Sequence, residues 1–266
     1  MSKRLLAVLA SFGILAAAAG TAFAYRVTLK ETLVAVRRPA LPTAKPYVPL
    51  PVSATATAPV PKPSTKPVPK PEPAEPGVTE TNLAIPFTSQ APHANWSLPY
   101  QEACEEASLI MAGAYFKSET SLAPDEADRR ILELVKWETE TLGFYEDTTV
   151  EEVARIAREY FKMKDVKTKA VASIDEVKTE VAAGRVVILP AAGRLLKNPY
   201  FTGEGPKYHM LVVKGFTKDG KIITNDPGTR HGADYLYDPA TLYNALHDWN
   251  GGDVENGAKT MLSIGG

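Results

Sequence analysis

The chain has 266 residues, 44% of them hydrophobic and 23% charged, with a formal net charge of −1. A single cysteine excludes an internal disulfide and any thiolate-built zinc or iron–sulfur site, because each needs two or more sulfurs. Near-zero net charge gives no general case for nucleic acid or an anionic membrane.

Charge and proline are unevenly distributed along the chain. Lys3 and Arg4 precede an almost unbroken apolar run, Leu5 to Ala24, that closes on Ala22-Phe23-Ala24. Such a run fits a cleaved secretion signal, and about 20 residues at 1.5 Å each also just cross a bilayer as an uncleaved anchor. Arg26, Lys30, Arg37 and Arg38 follow the run, so the flanking charges do not choose between the two. Both readings send the rest of the chain out of the cytoplasm. Residues 25–79 are expected to be a basic linker. Between Pro39 and Pro76, 13 of 38 residues are proline. Proline removes N–H donors and disfavours helix before it, so the stretch is expected to build neither ladder nor core. In polyproline II its reach is at most about 120 Å, at about 3.1 Å per residue. Up to Val78 the chain has 10 Lys/Arg against 3 Asp/Glu, or +7, and from Thr79 on it has 20 against 28, or −8. The net charge of −1 is therefore a basic stalk joined to an acidic domain at 80–266.

Within that domain, Ala103–Lys117 reads as a helix. Pro124 to about Glu140 is a second, with Ile131, Leu134 and Val135 at helical spacing. Thr149 and Glu152 form a capping-box pattern for a third. Ser173 caps a fourth, ending at Gly184. Val186–Leu189 and Lys207–Phe216 read as strands, and Asp219-Gly220 as a hairpin turn returning through Lys221–Asn225. Tyr235–Tyr237 is a strand, Pro239–Trp249 a helix and Thr260–Ile264 a final strand. Helices first and mostly antiparallel strands later predict α+β.

Cys104 stands at the start of the first helix, where partial positive charge stabilises a thiolate. A free thiol outside the cytoplasm is buried or used. Of the four histidines, His209 begins the apolar strand His209-Met210-Leu211-Val212-Val213, where a polar ring is costly without a partner. A hairpin loop of two or four residues gives paired residue numbers an odd sum. Strand alternation then puts Asp226 on the face of His209. A three-residue loop would select Asn225 instead. An aspartate on that face can orient the imidazole. His93 and His247 read as surface positions, and Arg230 and His231 as a surface loop near the rim. No His-x-x-x-His or His-Glu-x-x-His spacing exists, so neither metal nor other cofactor is expected.

The series Ile85-Pro86-Phe87-Thr88-Ser89-Gln90, Trp96, Cys104, Tyr208-His209-Met210-Leu211-Val212-Val213 and Asn225-Asp226-Pro227-Gly228 resembles the papain-like cysteine peptidases of family C39. These are relatives of the peptidases that remove double-glycine leaders from bacteriocins. The resemblance covers roughly Asn82 to Ile264. It implies a helix with Cys104 at its N-terminus, packed on an antiparallel sheet carrying His209 and Asp226. It further implies that Cys104 attacks a carbonyl, His209 serves as base and then acid, Asp226 orients His209, and Gln90 donates to the oxyanion. Trp96, Tyr100 and Tyr208 neighbour the site and are expected to line a substrate groove.

One departure stands out. Glu105 and Glu106 follow the cysteine where such families usually have glycine. Two carboxylates suit a helix start but oppose thiolate formation at close range. The expected activity is extracytoplasmic peptide or amide hydrolysis through a thioester. The expected partner is a peptide or protein substrate, an envelope peptide among them. No nucleic acid is expected, membrane contact only through the N-terminal segment, and a monomer. Two alternatives stay open: a catalytically silent papain-like binding module, and a cell-wall amidase or amide transferase with the same triad.

Overall fold

The computed structural model describes residues 40–49 and 78–266. The apolar run and most of the proline-rich stretch lie outside the described residues. Among the described residues, no helix is long and apolar enough to cross a membrane.

Seven antiparallel strands form one sheet. They are β1 (Thr81–Asn82), β2 (Asp165–Ala170), β3 (Val186–Ala192), β4 (Tyr208–Phe216), β5 (Ile222–Asn225), β6 (Tyr235–Tyr237) and β7 (Thr260–Gly265). The order is β2-β7-β3-β4-β5-β6, with β1 paired to the end of β4. β3 and β4 are buried along their whole length. Such strands read as continuous apolar runs because both faces are covered.

Among the described residues, five α-helices accompany the sheet: α1 (Cys104–Phe116), α2 (Pro124–Thr141), α3 (Val150–Glu159), α4 (Ile174–Ala182) and the short α5 (Pro239–Ala245). In α1 every residue from Cys104 to Tyr115 is buried, including Glu105 and Glu106. Its small residues permit that close packing. A Cβ on Gly113 would meet the Phe161 ring at 3.0 Å. α2 is amphipathic and buries Ala127, Ile131, Leu134 and Glu138. The spacing of three or four residues makes these one face, so Glu138 occupies a position where the pattern calls for an apolar side chain. α3 carries the expected capping box between Thr149 and Glu152.

Several boundaries differ from expectation. The strand read as Val186–Leu189 continues through Pro190 to Ala192. Its pairing with β7 stops at Ile188, so Pro190 lies beyond that partner, where a missing N–H costs little. β2 escapes the sequence reading because it is an edge strand with only Val166 buried. α5 ends at Ala245, since Leu246 leaves the helix to bridge Ala191. The linker also differs. Lys45 donates its N–H to Asn82 O and accepts from Ala84 N, and Tyr47 packs edge-on against Tyr115 and Phe116. Proline removes donors at positions 42, 46 and 49 but leaves Lys45 free to pair, and Tyr47 gives this piece an apolar anchor.

Candidate active site

The hairpin places the aspartate by a detour. Next to the turn, Phe216 faces Ile222 and Gly215 faces Ile223, an even sum of residue numbers. That register would have selected Asn225. A β-bulge between Val213 and Gly215 then inserts one residue, and Val212 faces Asn225, an odd sum. Asp226 thereby returns to the face of His209. His209 Nε2 lies 2.8 Å from Asp226 Oδ1, and both side chains are fully buried.

Asp226 accepts three further hydrogen bonds: from Tyr237 OH, from Asn198 Nδ2 at 3.0 Å and from the Gly228 N–H at 3.0 Å. Burial alone would raise its pKa. The charge of His209 and the hydrogen bonds from His209, Tyr237 and Gly228 outweigh burial and hold the carboxyl below its usual range. An ionised Asp226 can only accept, so Nε2 of the imidazole donates. In the neutral ring Nδ1 then keeps the free lone pair. Phe201 meets the ring edge-on at 5.4 Å. Gly228 packs against both rings, since a Cβ there would lie 2.8 Å from His209 Cε1 and 2.9 Å from Phe201 Cε1. Asn225 takes a structural post, with its amide donating to Ile85 O.

Cys104 comes from the helical side. Its thiol donates to Glu105 Oε2 at 2.8 Å, and Sγ accepts the Met210 N–H at 3.3 Å. That N–H is available because β5 ends at Asn225, opposite Val212, two residues short of Met210. No hydrogen bond joins Sγ to His209 in this conformation. Burial pushes the thiol pKa well up, and the adjacent Glu105 adds to that, while the Met210 N–H opposes it. Burial and the charge of Glu106 push Glu105 well above its ordinary range. Behind them, Glu106 and Glu138 are fully buried, and none of their four carboxyl oxygens has a donor among the described residues. Burial raises both, Glu138 to about 8.

A cleft of about 900 Å³ runs between the two sides, lined by Gln90, Trp96, Cys104, Glu105, Tyr208 and His209 among others. Trp96 is exposed on it, and Tyr208 is buried at its floor, donating to Thr148 O and Asp248. Arg230 and His231 also line it, His231 stacked on Tyr200 at 4.5 Å. One expectation needs correction. Tyr100 does not line the cleft. Its ring packs beside Ala103, Ile110 and Ile131, and its hydroxyl donates to Asp128 at 2.6 Å. Gln90 does reach the cleft, but both amide N–H groups are committed to Tyr100 O and Gln101 O, at 3.0 and 2.9 Å. The residues its loop folds against take the donors reserved for an oxyanion. The N–H of Cys104, at the first turn of α1, has no acceptor.

Sequence reasoning missed Asn198, Phe201, Tyr237 and Glu138. Tyr237 and Asn198 gave no signal, being a strand tyrosine and a loop asparagine. Glu138 was findable as a charge on the apolar face of α2. No group of three or more His, Cys, Asp or Glu among the described residues is arranged to hold a metal ion.

The architecture is α+β and papain-like: a Cys-bearing helix packed on an antiparallel sheet that ends in a His–Asp pair. Residues 82–251 match the model of the Peptidase_C39 like family, and the chain belongs to that family of peptidases. Among solved structures, the chain is similar to a candidate C39-like peptidase from Bacillus anthracis. The identity is 16%, over 70% of this chain and 98% of that one, with a TM-score of 0.47. No curated protein matches the chain.

Proposed function

We propose that the protein is an extracytoplasmic cysteine peptidase that hydrolyses peptide bonds through a thioester at Cys104. The observation that carries this reading is the buried His209–Asp226 pair at 2.8 Å, sharing a cleft with a cysteine at a helix start. Asp226 fixes the tautomer with Nδ1 free to take the thiol proton. Sγ attacks the carbonyl, and the helix-start N–H of Cys104 meets the charge developing on oxygen. Gln90 joins it once its amide turns from the carbonyls of Tyr100 and Gln101. The imidazolium then protonates the leaving amine, and water attacks the thioester with His209 as base. Trp96 and Tyr208 border the substrate. The apolar N-terminal run supports export, and the substrate class is a peptide or protein of the envelope.

The test is cleavage of a peptide library by the wild-type protein and by Cys104→Ala. Loss of all turnover in a folded variant is expected, whereas retained turnover removes Cys104 from the mechanism. One second reading has an observation behind it. Sγ is engaged by Glu105 and the Gln90 donors are engaged by carbonyls, as in a silent binding module. Peptide binding without cleavage across the library would select that reading.

A further inference from the structure

The residues after the cysteine break the family's usual glycine, and their burial changes what they can do. Glu105 is 1% exposed, and Glu106 and Glu138 are fully buried. The groups that face Glu105 come from every neighbouring element: Cys104 and Glu106 on α1, Glu138 on α2, Asp147 before α3 and Tyr208 on β4. Glu102, in the turn before α1, faces Glu106. All are acids. A cation, Lys207, acts on Asp147. Three carboxyls enclosed without a cation cannot all ionise, so protons must reside among them. Glu106 and Glu138 act on each other without donors from other residues among the described ones, and burial raises both. Glu105 makes its close contact with Sγ, at 2.8 Å.

We propose that Glu105 is a catalytic residue that works as an uncharged carboxylic acid, donating its hydrogen bond to the Cys104 thiolate. This deepens the peptidase reading and rests on it. The proton balance is as follows. The thiol proton passes to His209 Nδ1, Glu105 keeps its own, and Sγ accepts two hydrogen bonds, from Glu105 and from the Met210 N–H. When rising pH removes the Glu105 proton, the carboxylate becomes an acceptor. The proton on His209 returns to sulfur, and the thiol donates to Glu105. The nucleophile is therefore switched off by alkali, the reverse of an ordinary thiol. The carboxyl group that opposes thiolate formation when ionised supports it while neutral.

The experiment reads the thiol itself, with iodoacetamide as probe, so it does not depend on knowing a substrate. The alkylation rate of Cys104 is measured from pH 5 to 10 in the wild-type protein, Glu105→Gln and Glu105→Ala. In the wild type the rate is expected to fall as pH rises past neutrality, before the final rise of a free thiol. Glu105→Gln keeps a neutral donor and should show no fall, exceeding the wild type by about tenfold or more near pH 9, as expected for one pKa unit or more of like-charge coupling. Glu105→Ala lacks the donor and should react more slowly than the wild type near pH 6. A wild-type rate that climbs monotonically overturns the proposal, even if neither variant folds. So does a fall that persists in Glu105→Gln, which would assign it to the Glu106–Glu138 pair. So does Glu105→Ala reacting as fast as the wild type near pH 6. Failure of the peptidase reading looks different: the expected pH profile without cleavage of any peptide.

Discussion

The two walls of the cleft are built on opposite principles. On the sheet side, Asp226 accepts four hydrogen bonds, and its charge is fully compensated. On the helix side, Glu106 and Glu138 have no outside donors at all. One wall is held by complete hydrogen bonding and the other by protons. The sheet wall should therefore respond to mutations that remove a partner, and the helix wall to pH.

The strongest way to break the comparison is at Asp226. Replacement by Asn leaves one acceptor oxygen, which the Tyr237 and Asn198 donors claim, so the new N–H₂ turns to Nε2 and imposes the wrong tautomer, and kcat on any cleaved peptide should fall by about 10³–10⁴-fold. Asp226→Ala should in addition cost about 3–5 kcal/mol in a denaturant melt, because it leaves His209, Tyr237, Asn198 and Gly228 donors buried without a partner. An Asp226→Asn enzyme with near-normal kcat would show that a neutral acceptor orients His209 as well as the carboxylate does.

Gly228 offers a smaller perturbation of the same wall. Its Cβ would press on His209 Cε1 and on Phe201. Gly228→Ala should cost about 1–3 kcal/mol of stability and lower kcat about 10²-fold, as expected for a misplacement near 1 Å. Equal kcat would mean that the imidazole has room to move.

On the helix wall, Glu138→Gln sharpens the contrast. The Glu138 pKa rises from 4.5 to about 8 on folding. The folded state therefore holds a proton that the unfolded state has released, and stability falls as pH rises between those values. The favourable contribution is intact below about pH 4.5 and lost through about pH 8. Glu138→Gln should match the wild type near pH 4 and exceed it above pH 8 by about 1–4 kcal/mol, the range for replacing buried charge. A variant less stable at every pH would show that Glu138 has a donor.

The smallest effect is expected away from both walls. Tyr47→Ala removes an edge-on aromatic contact to Tyr115 and another to Phe116, and should cost about 1–2 kcal/mol, with kcat unchanged.

The sequence made the sheet wall legible because strand alternation is binary. Only two faces exist, so His209 and Asp226 had an even chance of meeting before any register was known. The bulge at Lys214 shows how thin that inference was. One inserted residue decides between Asp226 and Asn225, and nothing in Val213-Lys214-Gly215 announces it except the glycine. Gly215 is required for another reason too, since a Cβ there would lie 2.1 Å from Thr81 O. The helix wall was legible in composition but not in sign. Glu105 and Glu106 read as a helix start that opposes a thiolate, because nothing local to them shows that they are buried. Their burial depends on α2 crossing α1, which no local pattern states. Tyr100 went astray for a related reason: proximity to Cys104 in the chain does not say which way a side chain turns. Gln90 sits in the cleft, but its amide satisfies the turn Tyr100–Glu102 instead.

The pairing of Lys45 with β1 has a consequence for distance. Lys45 and Leu83 form a bridge, so the chain enters and re-enters the domain at one place. The proline-rich residues between them are then a closed excursion with both ends fastened to the same body. Closing it costs entropy that grows only slowly with its length, so insertions or deletions there should alter stability little.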